Sequence, residues 1–581
     1  MGNQIQREAS IAMDWVHEIF FPMYVVKVAD LLRGKLTKHG QPRTHGFLLQ
    51  ENLLHEWMPG MCVIFVSHQW LSKLHPDPEG QQFEVLRAAL QSFADRSLPL
   101  SLDGSLFFHI DPRRESQHLQ DQIPEAYVWM DWFGVPQITA RTPGVSEDMS
   151  RSDSAKAVQS IPGYVERCSL FFALTPELPH NETGVMCNSV SWYSRGWCQA
   201  ELFCALLSSH QETPTVVTIH SRNYAELVKN PIEWDALHTA DFTVESDRLV
   251  IWDLMKRSVR ARIQRRGSDS SARRRYFVTG EFKLHQRHEW EIDEFLQKFE
   301  FAGMKEAAHD TSPMTGLLCA ILSGDHKLVR ALVNSMADVN QRCHGLVSVF
   351  GQQDQQTMLM VAAKTNQDPA VLSTLIELRA DVNATDAFGA MVAGWASSPG
   401  QVQVLAQARA DLHTSCCSSG GGAPPLNMAA AFQKNPETLT AMIAFRCDVN
   451  KPPRSVTSAL HVACVASRRG SVEKAKVLIA HRADVNVRAT AVGILGCMCR
   501  CAQLMSQCSG FASCSQATKV LGSLDEITPL GMAALYGDLA LTQCLLEAGA
   551  DRSIANARGD PPVVLALAQG HHTIADELMS F

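Results

Sequence analysis

Three short stretches carry the residues best suited to chemistry. Ser67, His68, Gln69 and Trp70 follow the apolar run Val63-Ile64-Phe65-Val66, and Asp131 and Trp132 follow Tyr127-Val128-Trp129-Met130. Trp197, Cys198 and Glu201 fall together within Arg195–Leu202. Short apolar runs suit buried parallel strands, and open α/β sheets bind ligands beyond the C-terminal ends of their strands. Two carboxylates, a histidine and several indoles would meet at that edge. Such a set could hold sugar hydroxyls, stabilise developing positive charge and stack a planar ring. Structural readings stand beside this one. A carboxylate near a helix start, as at Glu201, is favoured by the helix dipole alone. His68 and Asp131 could serve as packing residues, and Trp129, Trp132, Trp192 and Trp197 as core. His68, His75, Asp77 and His109 have no recognised ligand spacing, so no metal is expected.

The elements that must position these residues alternate between strand and helix. Phe83, Leu86, Leu90 and Phe93 have helical spacing. Ala157–Cys168 predicts a helix that Pro162 starts or breaks. Leu170–Leu174 and Thr215–Ile219 read as strands, with a helix over Trp197–Leu207 between them. Alternation of this kind predicts an open α/β sheet with helices on both faces. The expected divisions are a helical N-terminal extension over 1–59, the α/β domain over 60–225 and a helical connector over 226–305. Within the connector, residues 256–275 hold nine Lys or Arg against one acid, Asp269. That stretch reads as an exposed hinge, with a nuclear-localisation or phosphate-binding patch as the alternative.

Two features of 60–225 resemble the Toll/interleukin-1 receptor (TIR) domain. One is a first strand ending in Ser plus a polar residue, here Val63–His68. The other is a helix opening with W-C-x-x-E-L, matched by Trp197, Cys198, Glu201 and Leu202. The resemblance implies an open parallel, flavodoxin-like sheet and self-association. Some TIR domains cleave NAD at the nicotinamide–ribose bond with the Glu of this motif, which places that role on Glu201. Ser67, His68, Asp131, Trp132 and Trp197 are then the candidate ligand contacts, and NAD is a substrate rather than a bound cofactor. The chain departs from the family at 97–125, 133–153 and 176–193.

The second half is repetitive. Ala-Asp-Val-Asn occurs at 337–340, 380–383 and 483–486, with variants at 410–413, 447–450 and 550–553. A second mark begins at Thr315, Thr357, Pro424, Ser458 and Thr528, lying 23 to 26 residues before the corresponding aspartate. That interval holds two short helices and a turn. Thr528-Pro529-Leu530 and Leu460-His461 resemble the T-P-L-H-x-A mark of the ankyrin repeat. The resemblance implies an all-α solenoid over 306–581 that binds a protein partner on its concave face. One unit cannot bury its apolar stripe alone, so neighbours must stack. The unit ending at Asp411 is short, and the cysteine-rich segment 487–526 is poorly patterned, reading as an irregular flexible loop that is either an insertion or a decayed repeat.

The 581 residues are 46% hydrophobic and 19% charged with a net charge of −8, which excludes a largely disordered chain and a polytopic membrane protein. The acidic balance makes nucleic acid an unexpected partner, and no apolar run is long enough to span a membrane. No signal-peptide pattern precedes the 17 cysteines, so reduced thiols and a cytoplasmic or nuclear place are expected. Two functions remain open at this level: a signalling or interaction scaffold, and a TIR-like NAD hydrolase regulated by the repeats.

Overall fold

Val63–His68 is an inner strand of an eight-stranded sheet in the computed structural model of the chain. The structure describes residues 18–98, 101–102, 117, 119–137, 147–207, 216–222, 224–228, 240–242, 244–265, 274, 289–344, 355–365, 368–387, 389–414, 423–433, 435–450, 457–465, 471–491, 493–509, 516–569 and 571–580. The chain forms two compact units, Met1–Asp269 and Ser270–Phe581. Their division falls inside the basic stretch 256–275, of which 266–273 and 275 lie outside the described residues.

The first unit is built on strands β1 (Tyr24–Lys27), β2 (His55–Glu56), β3 (Val63–His68), β4 (Ser101–Leu102), β5 (Tyr127–Trp129), β6 (Leu170–Leu174), β7 (Val216–Ser221) and β8 (Tyr224–Val228). Their order across the sheet is β2-β1-β5-β3-β6-β7-β8-β4. The four central strands β5, β3, β6 and β7 are parallel. Among the parallel strands, β3 is followed in the chain by β5 on one side of it and then by β6 on the other, with the short β4 at the far edge formed between β3 and β5. That reversal leaves a crevice at the C-terminal ends of β3 and β6.

The expected helical extension over 1–59 is corrected in part, because β1 and β2 belong to this sheet. Strand β1 runs directly into helix α1 (Val28–Leu32), with no turn residue between them. The combined apolar run therefore reads as one helix.

Side chains alternate along β3. Ile64 and Val66 join the core with Val28, Leu31 and the buried side of α2 (Gln81–Ala94). Val63 and Phe65 join the opposite core, with residues of α5 (Ile161–Glu166), α6 (Ser189–Ser194) and α7 (Gly196–Leu207). Phe65 stacks between Trp129 and Phe171, at 4.5 and 5.5 Å between centroids. Helix α3 (Asp131–Gly134) begins directly after β5 and Met130. Helix α4 (Glu147–Gln159) ends before Ser160, and Pro162 sits in the first turn of α5, where its missing N–H costs nothing. Helix α8 (Asp247–Arg265) packs on α7.

In the second unit the described residues include seven helix pairs. They are Gly316–Leu322 with His326–Asn334, Met358–Thr365 with Ala370–Glu377, Val392–Trp395 with Pro399–Gln407, Pro425–Phe432 with Glu437–Ala444, Ala459–Val465 with Ser471–Ala480, Pro529–Tyr536 with Leu539–Glu547, and Pro562–Gln569 with His572–Ser580. Thr315, Thr357 and Thr528 each accept the backbone N–H three residues on, at 3.2, 3.2 and 3.1 Å, and so cap the first helices. The second helices of the first six pairs end on a left-handed residue, in turn Met336, Arg379, Arg409, Arg446, Arg482 and Gly549. Glycine adopts that conformation freely, whereas a residue with a Cβ does so at a cost of roughly 1–2 kcal/mol.

The repeated Asp and Asn have separate tasks. Asp338, Asp381, Asp411, Asp448, Asp484 and Asp551 each accept the backbone N–H two residues on, closing an Asx turn. The asparagine oxygen then accepts the aspartate backbone N–H of the next unit. These rungs join Asn340 to Asp381, Asn383 to Asp411, Asn450 to Asp484 and Asn486 to Asp551, at 2.9, 2.9, 2.9 and 2.8 Å. His413 and Ser553 stand where the other four units have asparagine, so those two positions offer no carboxamide.

The rung from Asn486 to Asp551 passes over residues 487–526. Helices Ser471–Ala480 and Leu539–Glu547 pack directly against each other, so the segment is an insertion and not a unit of the stack. Its neck is closed by Ala489, whose N–H donates to Ile527 O at 2.9 Å and whose oxygen accepts from Glu526 N at 3.0 Å. The expected irregular flexible loop is corrected too: the insertion holds helices Gly493–Ser509 and Gln516–Ser523. Its buried stripe uses Cys499 and Ala502. Cysteine acts there as a small hydrophobe, a role that a search for chemistry does not count.

Candidate functional site

The alternation of β3 sends its last two side chains to opposite faces. Ser67 continues the Val63–Phe65 face, toward α6 and α7. Its Oγ donates to Glu201 Oε2 at 2.5 Å and accepts from Trp192 Nε1 at 3.2 Å. His68 continues the other face, toward α2 and α3. Its Nε2 lies 2.8 Å from Asp131 Oδ1 and its Nδ1 3.1 Å from Gln82 Oε1. Because both residues end the strand, the two sets remain close enough for their charges to interact.

The hydrogen bonds fix the protonation of His68. The Gln82 amide nitrogen donates to the Gln69 carbonyl at 2.8 Å, so its oxygen faces His68 and can only accept. Asp131 also receives the Trp70 indole N–H at 2.8 Å and the Trp132 backbone N–H. Both neighbours of the ring are therefore acceptors, and the imidazole satisfies them by carrying two protons. Burial alone would lower the His68 pKa, but the charge and hydrogen bond of Asp131, with the charge of Glu201, hold it above its usual value. Burial alone would raise Asp131; the imidazolium and the N–H donors outweigh it and hold the carboxyl low.

Glu201 is left without a cation of its own. Burial, with the charge of Asp131 added, pushes its pKa up to about 8, against the Ser67 hydrogen bond and His68, which lower it. Two carboxyl groups thus compete for one imidazolium; Asp131 is the ionised one, and Glu201 holds its proton at neutral pH. The two acids are recessed but not sealed: the Asp131 side chain is 30% exposed, and Glu201 is partly exposed. Cys198 donates to the His68 carbonyl at 3.6 Å, and burial raises its thiol far above the reactive range.

The expected residues separate. Ser67, His68, Asp131 and Glu201 come together. Trp132 does not present a free face: it is 2% exposed, donates to Pro42 O and packs against Trp70 and His75. The Trp197 indole donates to Asp247 at the start of α8 and not into the cluster. Its neighbour Gly196 lies against the Phe242 ring, which a Cβ at that position, 2.1 Å from it, would displace. Sequence reasoning missed Gln82, whose only signal is a polar residue in the first turn of a helix that buries Phe83 and Leu86. It also read Trp192 as packing alone.

A cleft of about 730 Å³ opens at the same end of the parallel strands, lined in part by Arg33, Gly80, Gln81, Phe83 and Arg222. Gln81 and Phe83 flank Gln82, so the cleft adjoins the cluster. None of Ser67, His68, Asp131 or Glu201 lines it. Among the described residues no helix is long and apolar enough to cross a membrane.

No curated protein matches the chain. The ankyrin repeat family matches residues 457–490. That span covers Ala459–Val465, Ser471–Ala480 and the turn from Asp484 to Asn486, so the chain carries an ankyrin repeat.

Proposed function

We propose that this chain is a partner-binding scaffold, with ankyrin-type repeats extending on both sides of 457–490 and a TIR-like α/β unit preceding them. The observation that supports it is the set of Asn-to-Asp rungs. The unit in the matched span shares them with units as far as Asn340 and Asp551. Shared turns give shared stacking, and stacked units offer the extended surface that repeat proteins use for binding. The native complex tests this. A second polypeptide in fixed ratio with the full chain, by mass photometry of the complex purified from its source, is the expected result. The chain alone, as a monomer or a homo-oligomer, at every concentration would overturn it.

A second reading is hydrolysis of NAD at the nicotinamide–ribose bond, favoured by the Ser67–Glu201 contact. An ionised Glu201 could stabilise an oxocarbenium-like ribose and take a proton from the attacking water. The leaving nicotinamide keeps the bonding electron pair. The parallel sheet with its reversal beside β3 and the helix bearing Glu201 support the TIR-like reading. Because Glu201 holds a proton up to about pH 8, turnover should rise with pH through that value. NAD consumption by the full chain at high protein concentration, which also favours self-association, is the test. Turnover abolished by Glu201→Ala supports hydrolysis; no turnover by the folded wild-type chain removes it and leaves the scaffold.

A further inference from the structure

Four successive units end on the same exposed residue in the same unfavourable backbone conformation. Arg379, Arg409, Arg446 and Arg482 have φ of 70, 59, 65 and 66°, where Gly549 performs the same turn in a later unit with φ of 85°. Glycine would close each turn with less strain. All four arginines are exposed, and none of their guanidinium groups makes a hydrogen bond or ion pair with a described residue. The nearby acids do not neutralise them by contact. Asp381, Asp411, Asp448 and Asp484 each turn a carboxylate oxygen back onto the N–H two residues on. At two of the four the backbone is tied to the preceding unit, since the carbonyls of Arg379 and Arg482 accept from Asn340 and Asn450 at 3.5 and 2.9 Å.

Spacing identifies the occupant. The second helices before these arginines pack consecutively, and packed helices lie roughly 8–10 Å apart. A peptide in the extended polyproline II conformation has three residues per turn and rises about 3.1 Å per residue, so every third side chain returns to the same face at about 9 Å. Duplex nucleic acid presents one charge per about 1.7 Å, far denser than one cation per unit can match. We propose that Arg379, Arg409, Arg446 and Arg482 form a stripe that docks an extended acidic segment of a partner protein, with a carboxylate at every third residue. This rests on the scaffold reading above and names the chemistry of its partner.

The test uses the full chain and a fluorescent peptide of four Glu-Gly-Ser triplets. A peptide of the same composition with its glutamates adjacent, and a short DNA duplex, serve as competing probes. The spaced peptide should bind, and binding should weaken as the screening length falls from about 30 Å at 0.01 M salt to about 8 Å at 0.15 M. Replacing all four arginines by glycine should weaken it by about tenfold or more, while the far-ultraviolet spectrum and melting temperature are kept, because glycine suits the turn. A fourfold Arg→Gln variant, which keeps side chains of similar length, should lose binding to the same extent. Equal binding by wild type and both variants, preference for the clustered peptide or the duplex, or no binding at low salt would each overturn the stripe. A native partner still retained at full ratio by the fourfold glycine variant would overturn the stripe and leave the scaffold reading intact.

Discussion

The two units solve the same problem, holding polar groups at fixed positions, in opposite ways. In the helix stack each polar contact recurs. A threonine caps a helix, an aspartate closes a turn and an asparagine reaches the next unit. In the sheet unit each contact occurs once and joins residues far apart in the chain. Ser67 meets Glu201 and His68 meets Asp131, 134 and 63 residues away. Repetition spreads stability over many small bonds, whereas the single cluster concentrates charge. Substitutions should therefore have graded, local effects in the stack and large, pH-dependent ones in the sheet unit.

The largest effect should come from Phe65→Ala. Its ring is fully buried between two aromatics, and removal should destabilise the sheet unit by about 3–5 kcal/mol in denaturant unfolding. Asp131→Asn should follow at about 1–3 kcal/mol, below the figure for a sealed ion pair because the carboxylate is partly exposed. It should also lower the His68 pKa, read by the NMR shift of its ring protons.

The third test concerns pH. Between the ordinary carboxyl value and about 8, native Glu201 binds a proton that the unfolded chain has released. Stability should fall with rising pH across that window. Glu201→Gln should flatten the fall, by up to about 1 kcal/mol per pH unit. His68, with its raised pKa, adds a loss in the same direction as pH climbs, and Asp131, with its lowered pKa, a loss as pH drops into the acid range.

In the stack, Asn486→Ala removes one rung and should cost about 1 kcal/mol, with faster hydrogen exchange at the Asp551 amide. Replacing 493–523 with a Gly-Ser turn should cost a similar amount, about 1 kcal/mol: Ala489, Glu526 and Ile527 still close the neck, while the Val520 packing and the Ser506–Arg558 and Ser523–Asn556 hydrogen bonds are lost. A large loss there would show that the insertion supports the stack and would break the contrast drawn above.

The same contrast explains what could be read beforehand. The repeat spacing located the aspartate turns, since each depends on residues two or three apart. The strand runs and the start of α7 were also visible, as were Ser67, His68, Asp131 and Glu201. Their division between two faces follows from the two-residue period of β3. The partners on the far elements carry no such mark. Gln82 is a common residue in an amphipathic helix, and Trp192 is indistinguishable from core until α6 is placed. β1 was hidden because no turn separates it from α1, and the inserted helices because their buried stripe uses cysteine.

The closed neck at Ala489 has a mechanical consequence. Under tension, load reaching the last two helix pairs runs through the Asn486–Asp551 rung and the Ala489 backbone bonds, bypassing the insertion. Rupture of those bonds, together with those from Arg558 to Ser506 Oγ, Asn556 to Ser523 O and Ala557 N to Asp525 O, would release the 37 residues between Ala489 and Ile527 as slack, roughly 120 Å when fully extended. The insertion is thus stored contour length, held by a small number of hydrogen bonds.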